Sequence, residues 1–232
     1  LSTPEAGKIN QVNAFNAAYG GAEANVAVSL SLLGNEVAHV TRFPENDLSN
    51  AAIMSLKKFG INTGKIIWGG SRLGLYYLET GQGLRGSKVI YDRAGSAMAE
   101  IKPGMVNWKK AFEGVTWFHF SGITPAISQS AADTCLEALQ VAEEMGITVS
   151  IDLNYREKLW KYGKRPNEIL PELLDYCDII FGGIDAPEKI FGIVPEGKQS
   201  TKGKLTTENI HSISGQLFSL FPKAALFSTT LR

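Results

Sequence analysis

The sequence has no run of the roughly 18 apolar residues that a membrane-spanning helix requires. Leu1 opens neither a signal peptide nor an Arg-rich transit segment, so a cytoplasmic location is expected. Cysteine is scarce: Cys135 lies in an apolar helical stretch and Cys177 just before an apolar strand, positions that predict buried, reduced thiols and no disulfide framework. A net charge is also lacking, with 23 Lys plus Arg against 23 Asp plus Glu. Without an overall field, neither nucleic acid nor a membrane surface is an expected partner. The histidines His39, His119 and His211 show no metal-ligand spacing, which leaves a zinc site without support. His119, flanked by Phe118 and Phe120, reads as a hydrogen-bonded strand residue. No G-x-S-x-G elbow is present, so a hydrolase reading has little to rest on.

What remains is an alternation of helix and strand. Ala22, Val26, Leu30 and Leu33 recur at helical spacing, and Gly34 offers the left-handed position that ends a helix. A strand over 36–42, a helix over 48–59 closed by Gly60 and a strand over 61–68 are predicted next. The pattern then breaks. Residues 74–79 and 88–93 are rich in β-formers and joined only by a glycine-rich link, so they predict a two-stranded antiparallel ribbon. Alternation resumes with a helix over 106–112, a strand over 116–120, a long helix over 129–145 and a strand over 147–152. A helix over 166–176, a strand over 178–181, a short helix over 187–191, a polar loop over 196–207, a helix over 207–220 and a strand from 224 complete the order. Strands joined through helices need crossover connections, which give a parallel sheet. The predicted class is α/β: a doubly wound, mostly parallel sheet with helices on both faces, plus a small β-ribbon placed as a lid over the sheet's carboxyl edge. At 232 residues, one large domain with an embellishment and two small domains are both open. The first residue is not Met and the chain stops within a strand-like run, so missing sequence is expected at both ends.

Gly81-Gln82-Gly83-Leu84-Arg85-Gly86 satisfies G-x-G-x-x-G. A dinucleotide fingerprint must open a helix, however, and residues 87–91 read as strand, so a hairpin turn is predicted instead. The pair Gly20-Gly21 at a helix start would let a ligand approach free backbone N–H groups, with Asn25 one turn on; a tight loop before a helix is the alternative. Asn154 and Arg156 follow the apolar run 147–151, at a strand's carboxyl end where open α/β sheets bind ligands. Tyr91 and Arg93 are two residues apart on the ribbon and so share a face. Arg93 and Arg156 could hold an anion through paired guanidinium donors, or each could pair with a surface carboxylate.

Taken together these runs resemble the ribokinase-like (PfkB) carbohydrate kinases, and among them most closely the 2-keto-3-deoxygluconate kinases. The likeness rests on Tyr19-Gly20-Gly21-Ala22-Glu23-Ala24-Asn25-Val26-Ala27, Gly74-Leu75-Tyr76, Tyr91-Asp92-Arg93-Ala94-Gly95-Ser96-Ala97, Phe118-His119-Phe120-Ser121-Gly122-Ile123-Thr124-Pro125 and Asp152-Leu153-Asn154-Tyr155-Arg156, the last followed by Leu159-Trp160. The resemblance implies ATP-dependent phosphorylation of 2-keto-3-deoxygluconate, with ATP and Mg²⁺ as cofactors. Gly21, Asn25, Tyr76, Tyr91, Asp92, Arg93 and Arg156 would contact the sugar acid, and Asn154 and Arg156 the ATP phosphates. It also implies an incomplete kinase domain over 1–232, lid segments at about 8–19 and 71–95, and a homo-oligomer formed through the lid.

Two features depart from the family pattern. The catalytic base belongs to a G-A-G-D-like segment that this sequence does not contain, so no catalytic residue is named. Where similar kinases carry an N-x-x-E motif linked to Mg²⁺ and phosphate, this chain has Gly183 and Ala186, with Asp185 and Glu188 the nearest carboxylates. A kinase for a neutral sugar such as fructose or for another deoxy-sugar acid, and a catalytically silent sugar-acid binder, are the alternatives.

Overall fold

The computed structural model describes residues 1–5, 7–203 and 206–230. The chain divides into two compact units, Leu1–Ile101 and Lys102–Arg232.

In the first unit, α1 (Ala22–Leu32) is apolar along most of its length and ends where Gly34 takes a φ of 88°. Strand β1 (Arg42–Phe43) runs parallel to β2 (Ile67–Trp68), and between them lies α2 (Asp47–Lys57), whose first turn is capped by Asn46 Oδ1 accepting the Ser49 N–H. Ala27, Leu56, Ile61 and Ile66 form the buried core of these elements, with Val28, Val37, Phe43 and Ile53 packed against it. The two strands expected over 36–42 and 61–68 are much shorter, reaching each other outside the ladder only at the bridge Ala38–Asn62. Asn62 accounts for the break, because its Oδ1 accepts the Gly64 N–H at 2.8 Å and turns the chain before a longer ladder can form.

The ribbon is present as predicted: β3 (Leu75–Glu79) pairs antiparallel with β4 (Lys88–Asp92). Residues 81–86 form its turn, closed by a bridge between Gln82 and Arg85. A side chain at Gly81 would overlap the Arg85 carbonyl, so this G-x-G-x-x-G serves chain reversal. The lid strands expected over 8–19 are absent among the described residues, apart from a single bridge from Asn16 to Ser2. The neighbour of β3 is instead residues 1–3: the Leu78 N–H donates to Leu1 O at 2.8 Å and the Thr3 N–H to Leu78 O at 2.9 Å.

The second unit is a four-stranded parallel sheet in the order β5 (Trp117–Ser121), β6 (Thr148–Asp152), β7 (Ile179–Gly183), β8 (Leu226–Thr230). Helices α3 (Trp108–Ala111), α4 (Ile123–Ile127), α5 (Gln129–Glu144), α6 (Pro166–Leu174), α7 (Ala186–Phe191) and α8 (Thr207–Leu220) are interleaved with the strands. This is the predicted α/β class. The inward face of α5 is built from Ala131, Ala132, Cys135, Ala138, Leu139 and Ala142, recurring every three or four residues. Mostly alanine, it permits close approach to its neighbours; burying Leu139 alone is worth about 2 kcal/mol. Trp108 and Phe112 pack on Phe118, with the two phenyl centroids 5.1 Å apart. Cys135 and Cys177 are buried thiols not joined in a disulfide, and burial pushes the Cys177 thiol well up from its ordinary value. The polar loop before α8 gives way to a capping box in which Thr206 and Asn209 exchange bonds. The last predicted strand is found as β8; its expected final residues, 231–232, lie outside the described residues.

Candidate functional site

In the first unit the sequence-predicted residues fall on α1 and on the ribbon. Gly21 is the N-cap of α1 with extended backbone, and a Cβ placed there would meet only Ala24 Cβ at an ordinary 3.7 Å. Local packing therefore does not demand glycine at this position, since a methyl group would make only an ordinary contact there. Asn25, exposed one turn on, holds its Oδ1 over Gly20, 3.2 Å from where a Cβ would stand.

On the ribbon the register decides which residues act together. Tyr76 lies directly opposite Tyr91, and Leu78 opposite Val89. Side chains alternate across a strand, so Tyr76, Tyr91 and Arg93 share one face. Asp92, expected beside them, belongs to the opposite face with Leu75 and Ile90. Its carboxylate is 2.6 Å from Arg72 Nη2. By contrast, the Nε of Arg93 is buried and has no hydrogen-bond partner among the described residues. An orphaned guanidinium donor below the surface is costly unless an acceptor arrives from outside. Sequence reasoning found Arg93 through its motif but missed Arg72, for which only the folded loop gives a signal.

In the second unit the site residues cluster at the carboxyl ends of β5, β6 and β7. Asp152 ends β6, and its Oδ1 accepts the Asn154 N–H at 3.0 Å. The turn holds Asn154 at φ 35°, one of only two described non-glycine residues with positive φ. Leu153 is clamped from both sides: its N–H donates to Phe181 O at 2.8 Å, and Gly122 packs against its carbonyl so closely that a Cβ would overlap the oxygen. The backbone from 152 to 156 is thereby fixed at the sheet edge, where ligands bind in open α/β folds. Arg156 is exposed there, with Nη1 donating to the Tyr155 carbonyl at 2.9 Å. The Tyr155 phenol is held above its ordinary value by burial and then by Glu157, an effect that the nearby Lys189 opposes. Tyr162 anchors the far end of this loop by donating to Pro125 O at 2.7 Å, and burial, then Asp133, push its phenol up to about 12.

At β7 the two positions of the altered motif contribute no side-chain ligand. Asp185 is 2.5 Å from Lys189 Nζ. Glu188 is engaged as well, since its Oε2 accepts the Thr201 hydroxyl, the Thr201 N–H at 2.8 Å and the Ser200 hydroxyl at 3.3 Å. No three carboxylate, histidine or cysteine side chains converge among the described residues. This donor set does not fit a protein-built magnesium cage. No described helix is long and apolar enough to cross a membrane.

Comparison with known proteins agrees with the α/β fold. The model of the pfkB family of carbohydrate kinases matches residues 2–202. The 2-dehydro-3-deoxygalactonokinase of Haloferax volcanii is 36% identical over 186 residues, covering 80% of this chain and 55% of that protein. Fructokinase-1 of Zea mays is 27% identical over 169 residues, covering 72% of this chain and 51% of that protein. Among solved structures, the 2-dehydro-3-deoxygluconokinase of Thermotoga maritima superposes with a TM-score of 0.86 at 40% identity, over 95% of this chain and 65% of that one. The chain spans about half the length of these two curated relatives.

Proposed function

This chain belongs to the pfkB family of carbohydrate kinases, and from that premise we propose that it phosphorylates a 2-keto-3-deoxy sugar acid, 2-keto-3-deoxygluconate, using ATP. The observation that carries the choice of an acid is the cationic side chain of Arg93, whose buried Nε has no partner among the described residues, on the same ribbon face as Tyr76 and Tyr91. A neutral sugar can accept that N–H through a hydroxyl but brings no opposite charge to the guanidinium, whereas a carboxylate supplies both the acceptor and the charge. The relatives named for deoxy-sugar acids support the same reading.

In the proposed reaction the primary hydroxyl of the sugar acid gives up its proton and attacks the γ-phosphorus of ATP, the bond to the β-phosphate oxygen breaks, and ADP leaves. The chain's own contribution is positioning and charge. Gly21 lets the sugar approach the start of α1, and Asn25 bonds its hydroxyls. Tyr76, Tyr91 and Arg93 orient the acid end. Asn154 and Arg156, on the fixed turn after β6, face the nucleotide phosphates. The β3–β4 ribbon acts as a lid that excludes water, and it also provides a contact between subunits.

The test is a phosphoryl-transfer assay on the full-length protein with ATP and Mg²⁺, pairing sugar acids with their neutral sugars. Turnover of 2-keto-3-deoxygluconate and none of fructose is the expected result; preferential turnover of fructose would remove the acid assignment.

A further inference from the structure

Arg72 reaches the strand exit on which Arg93 is displayed. Its Nη1 donates to the Ala94 carbonyl at 2.8 Å, and its Nη2 donates to the Asp92 carbonyl at 3.2 Å and lies 2.6 Å from Asp92 Oδ2. One planar guanidinium thus grips the backbone on both sides of Arg93. The backbone of Arg72 joins in, because the Ala97 N–H donates to Arg72 O at 2.8 Å. The turn is closed within itself by the Ser96 N–H donating to Arg93 O at 3.1 Å. The loop that carries Arg72 sits so tightly here that a Cβ on Gly70 would stand 2.7 Å from Ala97 Cα.

Stability alone does not explain this arrangement. The Arg72 and Asp92 side chains are 33% and 46% exposed, and ion pairs at such exposure contribute little to folding. What the fork does accomplish is to set the direction in which residue 93 leaves the ribbon. Asp92, held by Arg72, lies on one face of β4, and Arg93 therefore projects from the other, beside Tyr91. Lysine would carry the same charge but lacks the rigid fork that reaches two carbonyls together.

We propose that Arg72 is a positioning residue for recognition of the sugar acid: it orders the 92–97 turn so that the guanidinium of Arg93 is presented in the geometry a carboxylate needs. The proposal rests on the carboxylate-binding reading of Arg93 given above, and it adds a second arginine that never touches the substrate.

The experiment is a kinetic double-mutant cycle on the full-length protein with Arg72→Gln, Arg93→Ala and the double variant, using 2-keto-3-deoxygluconate at saturating MgATP. Arg72→Gln is expected to raise KM for the acid about tenfold with kcat within about twofold. The double variant is expected to be no worse than Arg93→Ala alone, because the two residues act through one contact. Arg72→Lys should recover only part of the loss. Asp92→Asn, which spares both carbonyl bonds, should raise KM less than about threefold and serves as the folded comparison if Arg72→Gln melts early. A normal KM in Arg72→Gln while Arg93→Ala is impaired would overturn the positioning role alone. So would effects that simply add, or losses in kcat and KM that Arg72→Lys fully restores. A normal KM in Arg93→Ala would overturn the carboxylate reading itself, and the positioning role with it.

Discussion

The backbone N–H of Asn154 donates to Oδ1 of Asp152 at 3.0 Å, across the turn that takes the chain off the carboxyl end of β6. The bond is accompanied by a left-handed backbone at residue 154, φ 35°, which asparagine and glycine tolerate better than other residues. Asn154→Gly should therefore keep the melting temperature, while Asn154→Leu should lose about 1–2 kcal/mol of stability. Both remove the amide proposed to face the nucleotide, so both should slow phosphoryl transfer. Full activity in Asn154→Gly would show that the side chain has only a conformational role.

Gly122 gives a purely steric prediction. Its N–H donates to Asp152 O at 2.8 Å, and its missing side chain leaves room for the Leu153 carbonyl. Gly122→Ala forces the two carboxyl-edge loops apart and should cost about 1–3 kcal/mol in a denaturant melt, as overpacking does. An unchanged midpoint would mean that the loops accommodate the methyl group without strain.

The proposed recognition of a carboxylate by Arg93 predicts a change in affinity. Bonds to a charged group are worth about 1.5–3 kcal/mol, so Arg93→Ala should weaken binding of the sugar acid about ten- to a hundredfold. Neutral sugars should bind unchanged. Isothermal titration with one sugar of each kind measures the difference, and equal losses for both would remove the carboxylate from the account.

Glu188 supplies a pH dependence. The Thr201 hydroxyl foremost, then the Thr201 N–H, with a smaller part from the Ser200 hydroxyl, hold its carboxyl below the ordinary value. The folded value lies below the unfolded one, so this stabilisation is complete above an unfolded carboxylate value of about 4.3 and is lost as the pH falls through the folded value. Thermal melts taken from pH 7 to pH 3 should show the parent losing more stability than Glu188→Gln at the acid end. Parallel acid limbs would mean that the tie between α7 and the 200–201 segment contributes nothing.

Local sequence carried much of the fold because several elements are specified within a few residues. The glycine-rich 81–86 link between β-forming runs defines the ribbon, and Thr206 with Asn209 defines the start of α8. Helix α4 escaped notice since it is a single turn or so with Pro125 inside it, set between a strand end and the Ser128 cap of α5. The short β1–β2 ladder escaped because Asn62 turns the chain within a run whose composition reads as strand. For the site, motif and alternation together placed Tyr76, Tyr91 and Arg93 on the ribbon. The placement of Asp92 did not follow, since its carboxylate is held by Arg72, twenty residues earlier in the chain. Pairings of that kind arise from tertiary closure and leave no periodic trace.

The central claim is that the protein phosphorylates a sugar acid and uses Arg93 to recognise its carboxylate. The most direct measurement is initial-rate phosphoryl transfer by the full-length protein and its Arg93→Ala variant, with MgATP and either 2-keto-3-deoxygluconate or fructose. The account predicts turnover of the acid by the parent, a rise in KM of about ten- to a hundredfold in the variant, and little turnover of fructose by either. Efficient fructose turnover that is indifferent to Arg93, or tight acid binding with no transfer at all, would contradict it.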